Sequence, residues 1–416
     1  MTNAANTANA ASGAARVVPQ AAAIAWIVAT IGSFTSPPVA NVAVVLALVL
    51  TLSSPQLRSR VPVAAAQPLA IAALALFAVM TVAMSWALVP WAARFAAWWN
   101  WRTMLLLVLA GAAFGEVRWK QCFCVALIVA VTTGAVGSFA FLAAGVTVDR
   151  GFRGTVFLNH VTQSMALAVG VLLAATFAAQ RSRSVRSRVL LAAAALVCLA
   201  DLVLVTAGRS GQVALAVAAL SAVVLTLEGR RRWQAVLALL VLAVGLTALS
   251  PQLQQRFRLV AQEAPVLDCS AEESSTGLRL LLWRTAGALI RDRLFFGYGV
   301  GGLTPAYERE VGNHVNGQPL QNWCARPVHD PHNQYFRVTL EAGLLGLLAL
   351  LGLIVGAARQ KASQPYRACA QAILAAWCVT SLFNSHFQTF NEGHLIALLL
   401  GALLAPEQGA QSSEAR

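Results

Sequence analysis

The chain has 416 residues, of which 58% are hydrophobic and only 11% are charged, and its mean hydropathy is +0.67. A soluble protein of this length needs far more charge to cover its surface, so the composition excludes that class and indicates lipid as the main solvent. The net charge of +14 does not indicate a nucleic-acid partner, because many of the positive residues cluster in short segments between apolar runs.

Apolar runs of roughly 15–22 residues recur along the chain, which is about the length that a ~30 Å hydrocarbon layer requires of a helix. They lack the alternation of β-barrel strands. The sequence therefore predicts an all-α polytopic membrane protein with about 12 transmembrane helices. The predicted spans are residues 20–35, 39–53, 67–89, 100–115, 121–145, 160–179, 189–207, 212–227, 233–249, 333–357, 368–385 and 391–405.

Short polar segments between these spans carry many of the basic residues. The segments hold Arg58 and Arg60; Arg118 and Lys120; Arg181, Arg183, Arg186 and Arg188; Arg230, Arg231 and Arg232; and Arg359, Lys361 and Arg367. The positive-inside rule places such segments in the cytoplasm. With a cytoplasmic N-terminus, every one of them falls on that side, so the charge pattern indicates membrane topology.

The predicted spans divide the chain into regions with boundaries in polar sequence. These are a disordered cytoplasmic tail (1–19), transmembrane helices 1–9 (20–249), a large periplasmic loop region (250–332), transmembrane helices 10–12 (333–405) and a cytoplasmic tail (406–416). The N-terminal tail is rich in Ala, Asn and Thr, which predicts disorder. It lacks the early basic segment of a cleaved signal peptide.

The Trp-rich run at residues 90–102 falls on the non-cytoplasmic side of this topology. Tryptophan favours the membrane–water boundary, so an aromatic belt is the favoured interpretation. A platform for a lipid-linked substrate is the alternative.

Two of the seven cysteines, Cys269 and Cys324, lie in the predicted periplasmic loop region. A pair confined to the oxidising side predicts a disulfide. In the chain-entropy model, closing a loop of about 55 residues contributes on the order of 4 kcal/mol. Two free thiols are the alternative.

The stretch His-Asp-Pro-His-Asn at residues 329–333 ends the polar region and precedes the tenth span. Asp330 is predicted to be the N-cap and Pro331 the first helical residue, which puts His332 and Asn333 in the opening turn. A helix N-terminus keeps an imidazole neutral and able to accept a proton. Its free backbone N–H groups attract phosphates. An ordinary cap with an interfacial histidine is the alternative.

Small residues follow the motif along the predicted helix. Gly343 and Gly346 come 11 and 14 residues after His332, and at about 100° per residue all three fall on one helical face. Another helix can approach such a face closely. His332 is therefore expected to point into the mouth of the bundle at the outer membrane surface. Arg337 and Glu341, spaced i,i+4, predict an ion pair.

Residues 332–346, HNQYFRVTLEAGLLG, fit the pattern His-[Asn/Ser/Gln]-x9-Gly-x-x-[Gly/Thr/Tyr] of bacterial O-antigen ligases without a mismatch. The chain also resembles that family in its predicted twelve spans and its large periplasmic loop. The resemblance implies a GT-C-like glycosyltransferase architecture in the bacterial inner membrane, with an active site facing the periplasm. The wider superfamily includes O-antigen polymerases and protein O-oligosaccharyltransferases, which the motif does not separate from ligases.

The family pattern also has arginines on the periplasmic side. One matches Arg209 in the stretch GRSGQ, and the second matches Arg279 or Arg284, with Arg279 preferred because Trp283 follows at the family's spacing. A guanidinium group stays protonated and forms bidentate bonds with phosphates. The resemblance therefore implies that these arginines hold a lipid pyrophosphate.

The resemblance implies transfer of polysaccharide from undecaprenyl pyrophosphate to a sugar hydroxyl of lipid A–core, in lipopolysaccharide biosynthesis. The expected partners are that donor, that acceptor and membrane lipids. His332 is expected to act as general base and Asn333 to orient nearby groups. Arg150, Arg153, His160 and His329 are further candidate substrate-binding residues. For the arginines among them, interfacial snorkelling is the alternative.

No cofactor and no metal ion are expected. A lipid pyrophosphate is already a good leaving group, and His329 and His332 lack an evident third ligand. The nearest alternative function is an O-antigen polymerase, with the same donor and a growing glycan as acceptor. A transporter is a distant alternative. Transporters usually carry ionisable residues at mid-membrane, whereas the candidate residues of this chain concentrate outside the membrane. Asp201, inside the seventh span, is assigned no role.

Overall fold

A computed structural model describes residues 2–149, 152–206, 208–249, 275–314 and 330–407. These residues form a bundle of apolar helices, with one short antiparallel β-hairpin of two strands. The predicted all-α polytopic membrane architecture is therefore confirmed.

The helices of the described residues are numbered in chain order. Those before residue 250 are α1 (Thr2–Thr35), α2 (Pro37–Ser53), α3 (Pro55–Arg58), α4 (Val61–Ala65), α5 (Pro68–Ala83), α6 (Trp91–Trp98), α7 (Thr103–Ala113), α8 (Val117–Ala143), α9 (His160–Ala178), α10 (Val185–Leu204), α11 (Arg209–Thr226) and α12 (Gly229–Leu249). Those after it are α13 (Ser275–Asp292), α14 (Leu303–His314), α15 (Gln334–Arg359), α16 (Tyr366–Thr380) and α17 (Phe390–Leu403). Strands β1 (Thr147–Asp149) and β2 (Phe152–Arg153) lie between α8 and α9.

Each of the twelve predicted spans falls on a helix, but the helices differ in length. Among the described residues, seven helices are long and apolar enough to cross a membrane. A bent pair, α2 with α3–α4, would make eight, and its two parts meet at 88°. Helices α7 and α16 are apolar but have only 11 and 15 residues. Twelve crossings therefore remain a prediction.

The N-terminal tail is described from Thr2 onwards. Helix α1 begins at Thr2, within the segment for which the sequence predicts disorder, and that disorder stays a prediction. Alanine has the highest helix propensity of any residue, and this segment is rich in it. The same polar, low-complexity composition that indicated disorder is therefore compatible with a helix that continues into the first apolar span.

Helix starts follow local chemistry that is visible in the sequence. Pro37, Pro55 and Pro68 lie at the first helical positions of α2, α3 and α5, where a missing N–H group carries no penalty. Asn159 and Ser184 cap α9 and α10, and each side chain accepts a hydrogen bond from the backbone N–H three residues on. These signals place the ends of the helices that carry the site.

The long helices alternate in direction, which gives the bundle two ends. The N-termini of α9, α11, α15 and α17 meet at one of them, which we call the histidine end because His332 lies there. Asn384 donates a 2.9 Å hydrogen bond to Ser210 Oγ, and the Thr162 hydroxyl donates a 2.7 Å bond to Glu392. Polar contacts between different helices thus hold this end together.

The opposite end, which we call the basic end, is also tied by polar contacts. Buried Lys120 donates a 2.7 Å bond to Glu407, which accepts a 2.6 Å bond from the Ser363 hydroxyl. The Gln360 amide donates a 3.1 Å bond to Gln67. Because the helices alternate, the basic segments of the sequence share this end of the bundle.

Helix α6 and the turn that follows it carry an exposed aromatic face at the histidine end. Trp91, Phe95 and Trp99 recur every four residues and are 53–57% exposed. Asn100, just after them, donates a 3.2 Å bond to Gln388 beside the start of α17. Exposed rings at this level favour the interpretation of the Trp-rich run as an aromatic belt at the membrane boundary.

Helix α15 is interrupted by a crossing segment. Gly343 has φ 63° and ψ −155°, and the segment from Leu294 to Tyr298 passes over it. Leu344 N–H donates to Leu294 O and Tyr298 N–H donates to Leu340 O, both at 2.7 Å. These bonds replace helical ones that the break removes, since buried backbone groups need partners.

Close approach at Gly343 was predicted, but its geometry was not. A β-carbon there would lie 2.1 Å from Phe295 O, so the glycine admits a loop and not another helix. The predicted common face of His332, Gly343 and Gly346 is wrong. His332 precedes the helix, and the break at Gly343 rotates the two halves of α15 relative to each other.

Gly343→Ala should therefore destabilise the protein. The backbone conformation is nearly restricted to glycine, which costs of order 1–3 kcal/mol, and the methyl group would collide with the crossing backbone. Gly352→Ala is the matched control, because a β-carbon there meets nothing within 4 Å beyond its own helix. Thermal unfolding in detergent measures both variants. Equal midpoints would contradict the proposed crossing.

Candidate active site

The helix that carries the histidine motif starts later than predicted. Asn333 is the N-cap of α15, and its Oδ1 accepts bonds from Tyr335 N–H and Phe336 N–H, both at 3.0 Å. Its Nδ2 donates a 3.0 Å bond to Leu382 O, after α16. The predictions of Asp330 as N-cap and of Pro331 as the first helical residue are wrong. Asn333 is the side chain that reaches the free N–H groups.

His332 lies one residue before the cap, outside the helix. Its φ is 51°, in the left-handed region that few residues other than glycine adopt. Its backbone N–H donates a 3.1 Å bond to Asp330 Oδ1, and its Nδ1 lies 3.5 Å from Asp330 Oδ2. The imidazole is 42% exposed. Asp330 thus holds the backbone of His332 and lies beside one of its two ring nitrogens.

Two arginines from different helices come together near this carboxylate. Arg279 lies on α13, and Arg209 is the first residue of α11. Burial lowers the pKa of Arg279, the charge of Arg209 lowers that pKa further, and the charge of Asp330 raises it. Arg279 is therefore within electrostatic reach of both Arg209 and Asp330. Two neighbouring guanidinium groups repel, so an anion between them is stabilised by both.

Helix α13 is fixed over the start of α15 by aromatic side chains. Trp283 Nε1 donates a 3.2 Å bond to Pro331 O, and the Trp283 ring meets Phe336 edge-on at 6.4 Å. Tyr307 of α14 donates a 2.9 Å bond to Leu282 O. These contacts set the position of Arg279, one turn before Trp283. Exposed Arg284 lies on the same helix.

His160 lies beside the turn that leads to Arg209. His160 is the first residue of α9, and its ring stacks on Phe152 at 4.2 Å between centroids. A β-carbon on Gly208 would lie 2.5 Å from His160 O, so the turn before Arg209 packs directly on His160. Arg153 is exposed on β2, beside Phe152. The structure thus brings His160 next to the arginine site.

Several predicted residues lie outside the described residues. They are Arg150, His329, Cys269 and Cys324, so the predicted disulfide stays a prediction. The other five cysteines are free thiols. Within the described ranges, no group of three or more His, Cys, Asp or Glu side chains could hold a metal ion.

The predicted ion pair between Arg337 and Glu341 is confirmed. Arg337 Nε donates a 2.8 Å bond to Glu341 Oε1, and its Nη2 lies 2.7 Å from the same oxygen. Both side chains are buried, and Arg337 Nη2 also donates to Gln388 Oε1 at 3.2 Å. The sequence did not indicate this burial. A buried pair needs such further bonds to offset desolvation, and this one lies one turn below Asn333.

His386 is a second histidine near the site that the sequence left without a role. It is 1% exposed in the turn before α17, and one ring nitrogen lies 2.9 Å from Thr380 Oγ1. Burial lowers the pKa of His386 from 6.5 to about 3. The imidazole is therefore neutral and structural at neutral pH.

Acid should destabilise the protein through His386. Above pH 6.5 neither state binds a proton at this site; below it, the unfolded chain gains a proton that the folded chain excludes. The free energy of unfolding should then fall by up to about 1.4 kcal/mol per pH unit as the pH drops towards 3. His386→Gln should flatten the dependence of the unfolding midpoint on pH between 7 and about 4.5. If the unfolding midpoint depends on pH equally in the original protein and in His386→Gln, this prediction is wrong.

Two comparisons with known proteins cover parts of this chain. Residues 194–351 match the family model described as O-antigen ligase, and this range contains Arg209, Arg279 and His332. The chain is also 28% identical over 102 residues to a protein of Rickettsia conorii that is provisionally named a polysaccharide ligase. That alignment covers 24% of each chain, so the chain spans about a quarter of this relative's length. Together the two comparisons support membership of this chain in the O-antigen ligase superfamily.

Proposed function

We propose that this chain is an O-antigen ligase, which transfers polysaccharide from undecaprenyl pyrophosphate to a sugar hydroxyl of lipid A–core. The observation that carries the proposal is that Arg279 lies within electrostatic reach of Arg209 and of Asp330, the residue beside His332, at one end of an apolar bundle. A base beside two cations suits an acid–base reaction that releases a polyanion.

The two arginines are proposed to bind the pyrophosphate of the donor. Arg209 opens α11, where free backbone N–H groups add to its charge. Arg279 reaches the same place from α13. Guanidinium groups form paired bonds with phosphate oxygens and stay protonated, so they stabilise the group both before and during departure.

His332 is proposed to remove the proton of the acceptor hydroxyl. Asp330 lies beside Nδ1, which leaves Nε2 as the accepting nitrogen. The acceptor oxygen forms a bond to the anomeric carbon while the bond from that carbon to the pyrophosphate oxygen breaks. The proton moves to Nε2, and the electron pair leaves with the lipid pyrophosphate. Asn333 holds the backbone that presents His332.

An apolar cavity supports a lipid-linked donor. It lies between α9, α11, α16 and α17 and is lined mostly by apolar side chains. Its walls come from the halves of these helices nearest the histidine end, and on α11 it includes Ala214 and Ala218, below Arg209. A polyprenyl chain whose pyrophosphate lies at Arg209 would enter the bilayer beside this cavity, so its first isoprene units are proposed to lie there.

The orientation follows from charge. The basic end carries the arginine and lysine segments, and the positive-inside rule assigns such segments to the cytoplasm. The histidine end is therefore proposed to face the periplasm. A site at that level can receive two substrates that are both anchored in membranes.

Product analysis tests the proposed function. Purified protein is supplied with a glycan on undecaprenyl pyrophosphate and with lipid A–core, and the products are separated and identified by mass spectrometry. Glycan joined to lipid A–core is the expected product. Longer glycan that remains on undecaprenyl would show a polymerase, and glycan on a protein would show an oligosaccharyltransferase.

Substitution of His332 and of the arginines should have different effects. His332→Ala should reduce turnover by roughly 10²–10⁴-fold with little change in donor KM, because a general base contributes about that much. Arg209→Ala and Arg279→Ala should lower turnover and raise donor KM. Lysine at either position should restore only part of the loss. Single-turnover transfer and donor titration measure these quantities.

The exposed Arg284 provides the matched control, since it lies on the same helix as Arg279. Arg284→Ala should keep donor KM near its original value. Near-normal transfer by His332→Ala would refute the base assignment and leave His332 as a structural residue. An equal loss in Arg279→Ala and Arg284→Ala would remove the distinction between the two arginines.

Filling the cavity should selectively weaken binding of the lipid-linked donor. Ala218→Leu places a larger side chain in the cavity, whereas Ala216→Leu, on the exposed face of the same helix, is the matched control. Donor KM should rise only in Ala218→Leu. Inhibition by inorganic pyrophosphate, which has no hydrocarbon chain, should be equal in both variants. A rise in donor KM of the same size in both variants would contradict the proposal that the cavity holds the hydrocarbon chain of the donor.

A further inference from the structure

Asp201 is a buried acid in an apolar helix that the proposed mechanism does not use. It lies three residues before the end of α10 and is 0% exposed. Its Oδ1 is 2.8 Å from Thr206 Oγ1 and 3.0 Å from Ser138 Oγ, and its Oδ2 is 3.5 Å from Gln163 Nε2. These partners are neutral and come from different elements. An acid at this depth destabilises the fold unless its contacts compensate.

Gln163 extends these contacts to the segment before α9. Its Oε1 accepts bonds from Val156 N–H at 2.8 Å and Phe157 N–H at 3.2 Å. Its Nε2 lies 3.1 Å from Ser138 Oγ and 3.2 Å from Gly154 O. The group around Asp201 therefore joins α8, α9, the segment after the β-hairpin and the end of α10.

The same group holds the turn that leads to Arg209. Thr206 binds Asp201 through its hydroxyl and also through its backbone N–H, which donates a 2.9 Å bond to Asp201 O. At the start of α11, Gly211 N–H donates a 3.1 Å bond to Ser164 Oγ. Asp201 thus fixes the beginning of the turn, and α9 fixes its end.

We infer that Asp201 is a positioning residue for Arg209 and sets where this guanidinium group meets an anionic ligand. The inference rests on the proposed function in one respect, which is that the ligand of Arg209 is the pyrophosphate of the donor. A carboxylate suits this role because its two oxygens accept bonds from α8, α9 and the turn together. An apolar side chain would pack with these elements without fixing their relative positions.

A double-mutant cycle with Asp201 and Arg209 tests the inference. Asp201→Ala should raise donor KM roughly tenfold, within the range of coupling between residues of one network. In an Arg209→Ala protein, the same substitution should change donor KM less than about twofold, because the residue it positions is absent. Transfer rates are normalised to folded protein. Additive effects in the cycle would overturn the inference.

Leu202→Ala is the control for a general loss of packing. Leu202 is adjacent on α10 and 1% exposed, so its truncation lowers stability without touching the polar group. It should leave donor KM unchanged. Asp201→Asn, which retains one accepting oxygen, should restore part of the donor affinity. If Asp201→Ala does not fold, Thr206→Val removes the hydroxyl bond at nearly constant volume and should raise donor KM in the same direction.

A measurement without substrate separates this inference from the proposed function. Hydrogen–deuterium exchange of the peptide that covers residues 205–212 should be faster in Asp201→Ala and unchanged in Leu202→Ala. Unchanged exchange in both variants would overturn the positioning role. Faster exchange in Asp201→Ala, with no effect of Arg209→Ala on donor KM, would uphold the positioning of the turn and instead refute the pyrophosphate assignment of Arg209.

Discussion

The site depends on the crossing of α15 by the segment from Leu294 to Tyr298. The crossing brings the α13–α14 pair, which lies outside the apolar spans, onto the helix that carries the histidine motif. Gly343 makes it possible, because any side chain there would occupy the volume of the Phe295 carbonyl. Arg279 reaches Arg209 and Asp330 only because α13 is held in this position. Gly343 therefore helps to set the position of Arg279 through this crossing.

Buried polar groups in this bundle are concentrated near the histidine end. The Arg337–Glu341 pair, the Asp201 group and neutral His386 each lie within or beside the helix ends that form the site. Lipid offers no hydrogen bonds, so polar groups at this depth must find partners within the protein. Those partners come from several helices at once. The chain thus fixes the relative positions of helix ends by contacts that apolar packing alone does not specify.

Much of the architecture could be predicted from the sequence, because it depends on composition and on the spacing of residues along a helix. The apolar runs gave helices, and the i,i+4 spacing of Arg337 and Glu341 gave an ion pair. The cap of α15 could not be assigned, because Asp330 and Asn333 are both good N-caps and the choice depends on which one reaches the N–H groups. The role of Asp330 beside His332 requires a left-handed backbone at a histidine, which no local pattern indicates.

Contacts between distant segments were beyond sequence reasoning for a different reason. Asp201 was noticed for its depth, but its partners Ser138 and Gln163 lie 63 and 38 residues away. Such pairings follow from how helices are arranged in space, and spacing along a single chain does not reveal them. The crossing at Gly343 is similar, because the sequence indicated a close approach without showing what approaches.

Helix α11 combines the two environments that the proposed lipid-linked donor would need. Its first residue, Arg209, lies among charges at the histidine end, and Ala214 lies five residues on, where the apolar cavity begins. At 1.5 Å per residue, the two positions are about 7.5 Å apart along the helix axis. A bound pyrophosphate and the first isoprene unit attached to it cover a comparable distance. The same helix would therefore hold the charged group by its N-terminus and guide the hydrocarbon chain along its small side chains, so a shift of α11 would disturb both contacts together.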